Sequence, residues 1–439
     1  MRACVVGTGH VGLATAVAFA HLGHEVTAID SDPEKVAGLQ RGTAPFFEPG
    51  LEELLREEAA AGRLAFTGDL EQAVSPAELV FLCVGTPARP DGEANLLAVE
   101  RATRGIAAHA TDGVVVVEKS TVPAGTAARV RLTLARERPD LQFDVACNPE
   151  FLREGRALED TLHPDRVLVG ADSDRAFEVL RRAYRPLTDA GVRLIETDIT
   201  TAEVAKHACN AFLALKVSYA NLLARLCEEL GSDVVAVADV MGADPRIGRA
   251  FLNAGIGYGG YCLPKDVAAF ERLAARAGYD VPLLREVARI NDEALDRAFA
   301  CIREALWNLE DKRIALLGLA YKPGTDDVRE SPALKLARTL LDRGARVVGF
   351  DPHASANAKA ELPDLEVAAD ADEAARGAHC MVVCTEWEEF RSLDPRRLKE
   401  LMAYPVVVDG RNLLDPRAME EAGFTYYAMG RSPGAPPKV

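Results

Sequence analysis

The stretch Ala3–Gly12, ACVVGTGHVG, decides the fold. An apolar run leads into Gly7, Gly9 and Gly12, which have the GxGxxG spacing, and a helical pattern, LATAVAFAHLG, follows. A strand before these glycines and a helix after them is the setting in which this motif binds a dinucleotide. We expect the first glycine to permit the tight turn, the second to let a pyrophosphate approach, and the third to let the helix pack on the sheet.

The next strand, EVTAID, ends at Asp30, about 20 residues after the last glycine, where an acid can bind a ribose 2′-hydroxyl. A carboxylate there repels a 2′-phosphate, so NAD is favoured over NADP, although the nearby Lys35 weakens that preference. Thr86 and Thr121 follow two later strands, LVFLCVGTP and GVVVVEKSTVP. Ligands of open parallel sheets bind at the carboxyl ends of strands, so both threonines are expected near a ligand, the alternative being a helix cap or turn.

Apolar runs and helical segments alternate up to about residue 199, an all-helical stretch follows, and alternation resumes near residue 309. This pattern predicts an α/β protein with two Rossmann-like, doubly wound parallel-sheet domains joined by a central helical region. The predicted domains are residues 1–199, 200–308 and 309–439. A long helix beginning near Thr200 could pair with its copy in a second subunit, or simply pack against both domains.

Composition excludes several classes of protein. Among the 439 residues, 51 Lys and Arg face 67 Asp and Glu, a net charge of −16, which argues against nucleic-acid binding. No apolar run reaches the length of a membrane span. The nine cysteines are scattered without CxxC or zinc spacing, so we expect a reducing, cytoplasmic location and no metal.

Charged and polar residues of the middle region suggest chemistry. Glu150 and Glu154 follow the strand FDVAC, in NPEFLREG, and are expected near a reacting centre. Lys206 and Asn210 are four residues apart in AEVAKHACN, so they share one helix face and could stabilise a developing alkoxide. A solvated helix face is the alternative for this pair.

The glycine-rich segment GIGYGGYCLPKD places Cys262 just before Lys265 and Asp266. Its glycines would let the backbone approach a ligand closely, the alternative being a glycine loop with an inert cysteine. A thiol near a cation can act as a nucleophile, because the cation favours the thiolate. A dinucleotide-dependent enzyme needs such a thiol to oxidise an aldehyde to an acid, since attack by sulfur gives a tetrahedral species that can lose hydride. Oxidation of an alcohol to an aldehyde needs none.

Seven motifs along the chain resemble, in order, those of the UDP-glucose/GDP-mannose dehydrogenase family. They are GTGHVG, CVGTP, STVPAGT, NPEFLREG, AEVAKHACNAFLALKVSYAN, GIGYGGYCLPKD and YKPGTDDVRESPA. The resemblance covers nearly the whole chain. It implies a two-step, four-electron, NAD-dependent oxidation of a sugar C6 alcohol to a carboxylate, without metal.

The resemblance also implies roles for single residues. Cys262 matches the nucleophile, Lys206 and Asn210 match the pair that stabilises charge on the substrate oxygen, and Thr121, Glu150 and Asp266 match residues that organise or activate water. The expected cofactor contacts are Gly7, Gly9, His10, Val11, Gly12, Asp30, Lys35, Thr86, Thr121, Glu154, Cys262, Lys265 and Arg329. The expected substrate contacts are Glu150, Phe151, Leu152, Glu154, Lys206, Asn210, Arg246, Phe251, Asn253, Gly257, Tyr258, Lys322 and Arg411.

Members of the family form dimers through the central helices, and Arg246 resembles an arginine that one subunit lends to the active site of the other. An ordinary exposed arginine is the alternative. Tyr261 precedes the cysteine where the N-acetylhexosamine branches usually carry His, so UDP-glucose is the first choice of substrate and GDP-mannose the second. Two further hypotheses are a two-electron hydroxyacid dehydrogenase and a non-catalytic nucleotide-sugar binding protein.

Overall fold

The computed structural model describes residues 1–87, 89 and 92–431. They form two compact units, and each unit has a sheet of its own. The first unit consists of Met1–Cys209 and Arg272–Ala277, and the second consists of Asn210–Glu271 and the chain from Gly278 on.

The first unit alternates strands and helices from its first residues. Its elements are β1 (Arg2–Val6), α1 (His10–His21), β2 (Glu25–Ile29), α2 (Pro33–Gln40), α3 (Leu51–Ala60), β3 (Leu64–Thr67), α4 (Leu70–Val74), β4 (Leu79–Leu82), α5 (Leu97–His109), β5 (Val115–Glu118), α6 (Thr126–Glu137), β6 (Asp144–Cys147), α7 (Ala157–Leu162), β7 (Arg166–Ala171), α8 (Asp174–Asp189) and β8 (Arg193–Thr197).

These strands form an eight-stranded sheet in the order β3-β2-β1-β4-β5-β6-β7-β8. Side chains of β1 alternate between two apolar clusters: Ala3 and Val5 belong to one, and Cys4 and Val6 to the other. Both faces of the sheet are therefore buried, which explains the continuous apolar strands of the sequence. The strand order reverses beside β1, so a crevice opens where the glycine turn follows this strand.

One strand departs from the predicted all-parallel sheet. β7 pairs with β6 in antiparallel orientation, with Ala146 opposite Ala171, whereas β8 runs parallel to β7. A strand that is buried on both faces has the same apolar pattern in either direction, so the sequence could not show this reversal.

Four helices follow the first sheet. They are α9 (Ile199–Leu230), α10 (Val234–Gly242), α11 (Cys262–Arg276) and α12 (Pro282–Leu306). The predicted long helix is α9, which has 32 residues and contains both Lys206 and Asn210. Among the described residues, none of the helices is both long enough and apolar enough to cross a bilayer.

The second sheet belongs to the second unit. Its elements are β9 (Arg313–Leu317), α13 (Pro332–Asp342), β10 (Arg346–Phe350), α14 (Ser355–Glu361), β11 (Glu366–Val367), α15 (Ala371–Ala375), β12 (Cys380–Val383), α16 (Glu388–Arg391), α17 (Pro395–Leu401), β13 (Val406–Asp409), α18 (Pro416–Glu421) and β14 (Thr425–Ala428). The six strands are parallel, in the order β11-β10-β9-β12-β13-β14. The predicted fold class, with two doubly wound sheets and a long central helix, is confirmed.

The turn after the first strand is nearly the same in the two sheets. Gly7 follows β1 with φ +97, and Gly318 follows β9 with φ +91. Each glycine donates its amide hydrogen to the last carbonyl of the neighbouring strand, at 2.8 Å in both cases. Asp30 and Asp351, which follow those neighbouring strands, each accept a hydrogen bond from the amide just after the glycine, at 3.0 and 2.7 Å.

Candidate active site

The three glycines of the first turn are explained by two different needs. A Cβ on Gly7 would lie 2.7 Å from the Cys83 carbonyl oxygen, and a Cβ on Gly12 would lie 1.9 Å from the Gly7 carbonyl oxygen. Both positions therefore require glycine for packing. A Cβ on Gly9, in contrast, would meet no atom of the described residues within 4 Å. The open space over Gly9 is where a pyrophosphate can approach the amino terminus of α1.

The first helical residues of this site are His10 and Val11 of α1. The His10 ring stacks on Phe46, with 3.9 Å between the ring centroids. Gly9 is the N-cap and provides no side-chain cap for α1, and the amino terminus of a helix favours an anionic ligand.

Asp30 is held as a carboxylate. Its Oδ2 atom accepts hydrogen bonds from the Thr8 hydroxyl at 2.7 Å and the Lys35 ammonium at 3.1 Å. Burial by itself would raise the pKa of Asp30, but these bonds, with others from the Thr8 and Asp32 amides, hold that pKa below its usual value. An ionised acid beside the glycine turn fits an NAD ribose and disfavours a 2′-phosphate.

The two threonines that follow β4 and β5 lie together at the carboxyl edge of the sheet. The Thr86 hydroxyl donates a hydrogen bond to the Thr121 carbonyl at 2.8 Å. Ser120 donates to the Val84 carbonyl at 2.7 Å, which joins the same two loops a second time. Thr86 thus braces the loop that carries Thr121 and does not cap a helix.

Glu150 and Lys206 form a buried ion pair. The Lys206 ammonium is 2.9 Å from Glu150 Oε1, and the two side chains are only 5% and 6% exposed. The other oxygen of Glu150 accepts the Leu152 amide hydrogen at 2.8 Å, which fixes the carboxylate in the loop. Two buried charges at this distance require each other, because either one alone would be strongly destabilised.

The loop after Glu150 packs against cations. The Arg166 guanidinium lies 3.9 Å from the centroid of the Phe151 ring, and the Lys206 ammonium lies 5.4 Å from it. These distances are within the range of favourable cation–π contacts. Glu154, in the same loop, is also buried, with 8% of its surface exposed.

The second unit holds another buried polar group, centred on Asp266. This residue is fully buried in α11. Its Oδ2 atom accepts a hydrogen bond from the Asn210 amide at 2.5 Å, and its Oδ1 atom accepts one from the Lys265 ammonium at 2.6 Å. Asn210, which was expected to act with Lys206, is therefore joined through Asp266 to Lys265, although the sequence separates Asn210 from both by about 55 residues.

Cys262 is the first residue of α11, a helix of 15 residues, and is partly exposed. A thiol at a helix amino terminus is stabilised as the thiolate by the helix dipole. Buried thiols elsewhere differ: burial raises the pKa of Cys4, Cys83 and Cys384 to about 12. These three are therefore protonated and unreactive at neutral pH.

The glycine-rich loop before Cys262 is packed tightly against protein. A Cβ on Gly259 would lie 2.2 Å from the Glu330 carbonyl oxygen, and one on Gly260 would lie 2.6 Å from the Tyr321 ring. Gly260 also donates its amide hydrogen to the Arg329 carbonyl at 3.1 Å. These two glycines are thus explained by packing, which fixes the start of α11 and with it Cys262.

Cations from the second sheet border the same loop. Arg411, just after β13, donates hydrogen bonds to the Gly257 carbonyl at 3.0 Å and the Cys384 carbonyl at 2.7 Å. The Arg329 guanidinium lies 4.5 Å from the centroid of the Tyr261 ring. Arg411 therefore ties the glycine loop to the carboxyl edge of this sheet.

Three more of the predicted substrate residues belong to the second unit. The Tyr258 amide donates to Asn291 at 2.7 Å, and burial raises the pKa of the Tyr258 hydroxyl to about 12. Lys322 follows β9, with its ammonium 5.7 Å from the centroid of the Tyr321 ring. Phe251 has φ +64, a backbone conformation that is rare for residues other than glycine.

Two predicted substrate residues are occupied elsewhere. The Arg246 side chain is 87% exposed and pairs with Asp244 at 2.6 Å. Asn253 accepts a hydrogen bond from Arg249 at 2.7 Å. Arg246 is therefore placed on the surface of its own chain.

Sequence reasoning missed three buried residues that brace the loops of the first unit. Glu48 accepts the amide hydrogens of Gly155 and Ala157, at 2.8 and 2.7 Å, and so holds the loop after Glu150. Glu203 and His207, in the first turns of α9, hold the loop that carries Thr121. Their partners are more than 70 residues away along the chain, and no local pattern marks such contacts. One weak signal was available: Glu203 and His207 share a helix face with Lys206 and Asn210.

A glycine turn at the switch point of a doubly wound sheet, with an ionised acid after the second strand, defines a dinucleotide-binding protein. Models of the UDP-glucose/GDP-mannose dehydrogenase family match three parts of the chain: the NAD-binding domain at residues 1–188, the central domain at 200–293 and the UDP-binding domain at 315–416. The chain belongs to this family, and its cofactor is NAD.

Individual relatives agree over the full length. The chain is 44% identical to a UDP-glucose 6-dehydrogenase of Pseudomonas aeruginosa, over 98% of both chains. It is also 44% identical to a UDP-glucose 6-dehydrogenase of Rhizobium meliloti, over 98% of this chain and 100% of that one. The structure of a UDP-glucose dehydrogenase from the archaeon Pyrobaculum islandicum is 38% identical, covers 98% of both chains and superposes with a TM-score of 0.91.

Proposed function

We propose that this protein oxidises UDP-glucose at C6 to UDP-glucuronate, with NAD as the acceptor, in two successive two-electron steps. The observation that carries the proposal is Cys262, a partly exposed thiol at the amino terminus of α11, one turn before the buried Asp266 that binds Asn210. The names of the relatives support the choice of substrate.

NAD supplies the hydride acceptor, used twice for each sugar. In the first oxidation the C6 hydroxyl loses its proton, the C6 carbon transfers a hydride to NAD⁺, and the alcohol becomes an aldehyde. Lys206 and Asn210 stabilise the negative charge that develops on the C6 oxygen. Glu150 lies 2.9 Å from the Lys206 ammonium and holds it in place for this role.

In the second oxidation the Cys262 sulfur bonds to the aldehyde carbon, and the carbonyl oxygen takes up a proton. Loss of a hydride and that proton gives a thioester. Water then attacks the thioester carbon, the carbon–sulfur bond breaks, and the thiol is regenerated. Thr121, Glu150 and Asp266 orient or activate this water. Overall, one sugar alcohol, two NAD⁺ and one water give one carboxylate, two NADH and three protons.

The nucleotide half of the substrate is assigned to the second sheet, whose residues 315–416 match the UDP-binding domain. In this proposal Lys322 and Arg411 bind the diphosphate and the sugar, and the backbone around Phe151 and Leu152 contacts the sugar. GDP-mannose is the second candidate substrate, because the cysteine motif alone does not separate the two sugars.

The deciding experiment is the yield of NADH with a limiting amount of sugar nucleotide and an excess of NAD. Two NADH per UDP-glucose are expected from the wild type, whereas Cys262→Ala should form no UDP-glucuronate and at most one NADH per sugar. Cys227→Ala, which removes a buried thiol from α9, is the matched control and should keep the full yield. A yield of one NADH per UDP-glucose from the wild type would contradict the role of Cys262. Two NADH per GDP-mannose would change the substrate, and binding without turnover would indicate a non-catalytic protein.

We further propose a homodimer through the central helices. One face of α9 carries apolar side chains that are 42–62% exposed, namely Phe212, Tyr219, Leu222, Leu226 and Leu230. Such a contiguous apolar face favours contact with another protein surface. The exposed Arg246 would reach the active site of the partner in this dimer.

Mixing two inactive variants tests the shared site. The Cys262→Ala variant lacks the nucleophile, and the Arg246→Ala variant lacks the arginine that is lent to the other subunit. In a mixed dimer, one of the two active sites has both Cys262 and Arg246. If Arg246 acts across the interface, an equal mixture should regain about a quarter of wild-type activity after subunit exchange. Leu226→Glu should yield monomers in sedimentation. Full activity of Arg246→Ala, or no recovery in a mixture shown to exchange subunits, would contradict the proposal.

A further inference from the structure

The loop between β5 and α6 carries Thr121 and is held by two side chains of α9. Glu203 Oε2 accepts the Gly125 amide hydrogen at 2.6 Å, and Oε1 accepts the Ala127 amide hydrogen at 3.0 Å. One turn later, His207 Nε2 is 2.8 Å from the Val122 carbonyl oxygen. A carbonyl can only accept, so the hydrogen of this bond is on Nε2.

The amino terminus of α6 depends on this arrangement. Its N-cap residue is Gly125, which has φ +88 and no side chain, so it cannot cap the helix itself. Glu203 takes the place of the missing cap from a different helix. The Glu203 residue is only 2% exposed, so the contact is shielded from water.

The same turn of α9 reaches the reacting groups. Lys206 lies between Glu203 and His207 and pairs with Glu150 at 2.9 Å. The Thr121 carbonyl accepts a hydrogen bond from Thr86 on the opposite side of the loop, at 2.8 Å. The Thr121 loop is therefore fixed relative to Lys206 by one short helical segment.

A buried carboxylate is energetically costly, so packing alone does not explain why a glutamate holds the Thr121 loop. Burial raises the pKa of Glu203, and the amide hydrogen bonds from α6 oppose that rise. Burial also raises the pKa of Glu118, the last residue of β5, well above its ordinary value, and Glu203 adds to that effect. Glu203 is thus maintained as an acceptor for two amides despite an unfavourable, apolar surrounding.

We infer that Glu203 is a positioning residue: through the amino terminus of α6 it sets the place of Thr121 relative to Lys206 and Glu150. This inference rests on the proposed function, in which Thr121 acts in the hydrolysis of the Cys262 thioester. It assigns no contact between Glu203 and the substrate.

The test is Glu203→Gln, which keeps the size of the side chain and replaces one of the two acceptor oxygens by a donor. Thioester hydrolysis should become rate-limiting in this variant. A rapid burst of two NADH per site should then precede a steady-state rate at least tenfold below that of the wild type. Intact-mass spectrometry of the quenched protein should show a sugar-nucleotide adduct on Cys262. KM for UDP-glucose and Kd for NAD should stay within twofold. Glu203→Asp, which keeps the charge and shortens the reach, should give a smaller loss of rate and also shows whether the effect survives if the glutamine variant folds poorly.

Glu58→Gln is the matched control. Glu58 is another fully buried glutamate of the first unit and pairs with Arg63 at 2.6 Å, on α3. It should lower stability without a burst or an adduct. An unchanged rate in Glu203→Gln, or a loss of rate without burst and adduct, would overturn the inference. Full acid formation by Cys262→Ala would instead overturn the proposed function, so the two failures can be told apart.

Discussion

Alanine substitutions at Gly9 and Gly12 should have opposite effects, although the two residues belong to one motif. An alanine at position 12 places its Cβ 1.9 Å from the Gly7 carbonyl oxygen, and this gap must open to at least 3.0 Å, by about 1.1 Å. Overpacking of this kind costs about 1–3 kcal/mol, which in a unit of some 200 residues lowers Tm by about 2–12 °C.

Gly9→Ala should leave the fold intact. Gly9 has φ −73 and ψ −172, which alanine adopts without strain, and a Cβ there meets no described atom within 4 Å. The smaller entropy of the unfolded chain should stabilise this variant by about 0.4–1 kcal/mol. The methyl group nevertheless occupies the space through which NAD approaches α1, so Kd for NAD should rise at least ~10-fold, or about 1.4 kcal/mol.

Thermal melting of the protein without ligand and calorimetric titration with NAD measure both effects. The expected pattern is a normal or raised Tm with weak binding for Gly9→Ala, and a lowered Tm for Gly12→Ala. A destabilised Gly9→Ala, or one that binds NAD like wild type, would refute the assignment of the open space to the cofactor. A fully stable Gly12→Ala would refute the packing argument.

Three further predictions concern single charged or reactive groups. Asp30→Asn should lower the free energy of unfolding above about pH 4. The pKa of Asp30 is lowered in the folded protein, so the stabilisation by its carboxylate is lost as the pH falls through that lowered value. Unfolding curves of wild type and variant should therefore converge in acid. Asp266→Asn should destabilise the protein by about 3–5 kcal/mol in urea titrations, since the buried Lys265 ammonium loses its carboxylate partner, and an unchanged midpoint would contradict that pairing. Iodoacetamide should label Cys262 faster than Cys209, the other partly exposed thiol, and UDP-glucose should slow only the labelling of Cys262. Peptide mass spectrometry measures the two rates, and equal rates would argue against an activated thiol.

The parts of the site that depend on local geometry could be predicted from the sequence. The glycine turn and Asp30 are close along the chain, and their spacing is set by one strand–helix–strand unit. Lys206 and Asn210 share a helix face for the same reason. Cys262 could be singled out because a thiol is chemically distinctive, and the structure explains its place at a helix terminus.

Other features depend on contacts that no local pattern encodes. Glu48 and Glu203 look like ordinary helix or loop glutamates in sequence, yet each binds two amides of a distant loop. The antiparallel orientation of β7 could not be foreseen, because a strand that is buried on both faces has the same apolar pattern in either direction. The glycines before Cys262 suggested close approach of a ligand, whereas Gly259 and Gly260 pack against neighbouring protein atoms.

The strand–glycine turn that occurs in both sheets is followed by an acid each time. The agreement in φ, in the amide bond of the glycine and in that acid means that one local geometry serves both sheets. Both acids bind amides on both of their oxygens, but they differ in exposure. The side chain of Asp30 is 11% exposed, whereas the Asp351 residue is 2% exposed and also accepts the Trp387 indole hydrogen. The same turn thus holds an acid that a ligand can reach in the first sheet and an enclosed hydrogen-bond acceptor in the second.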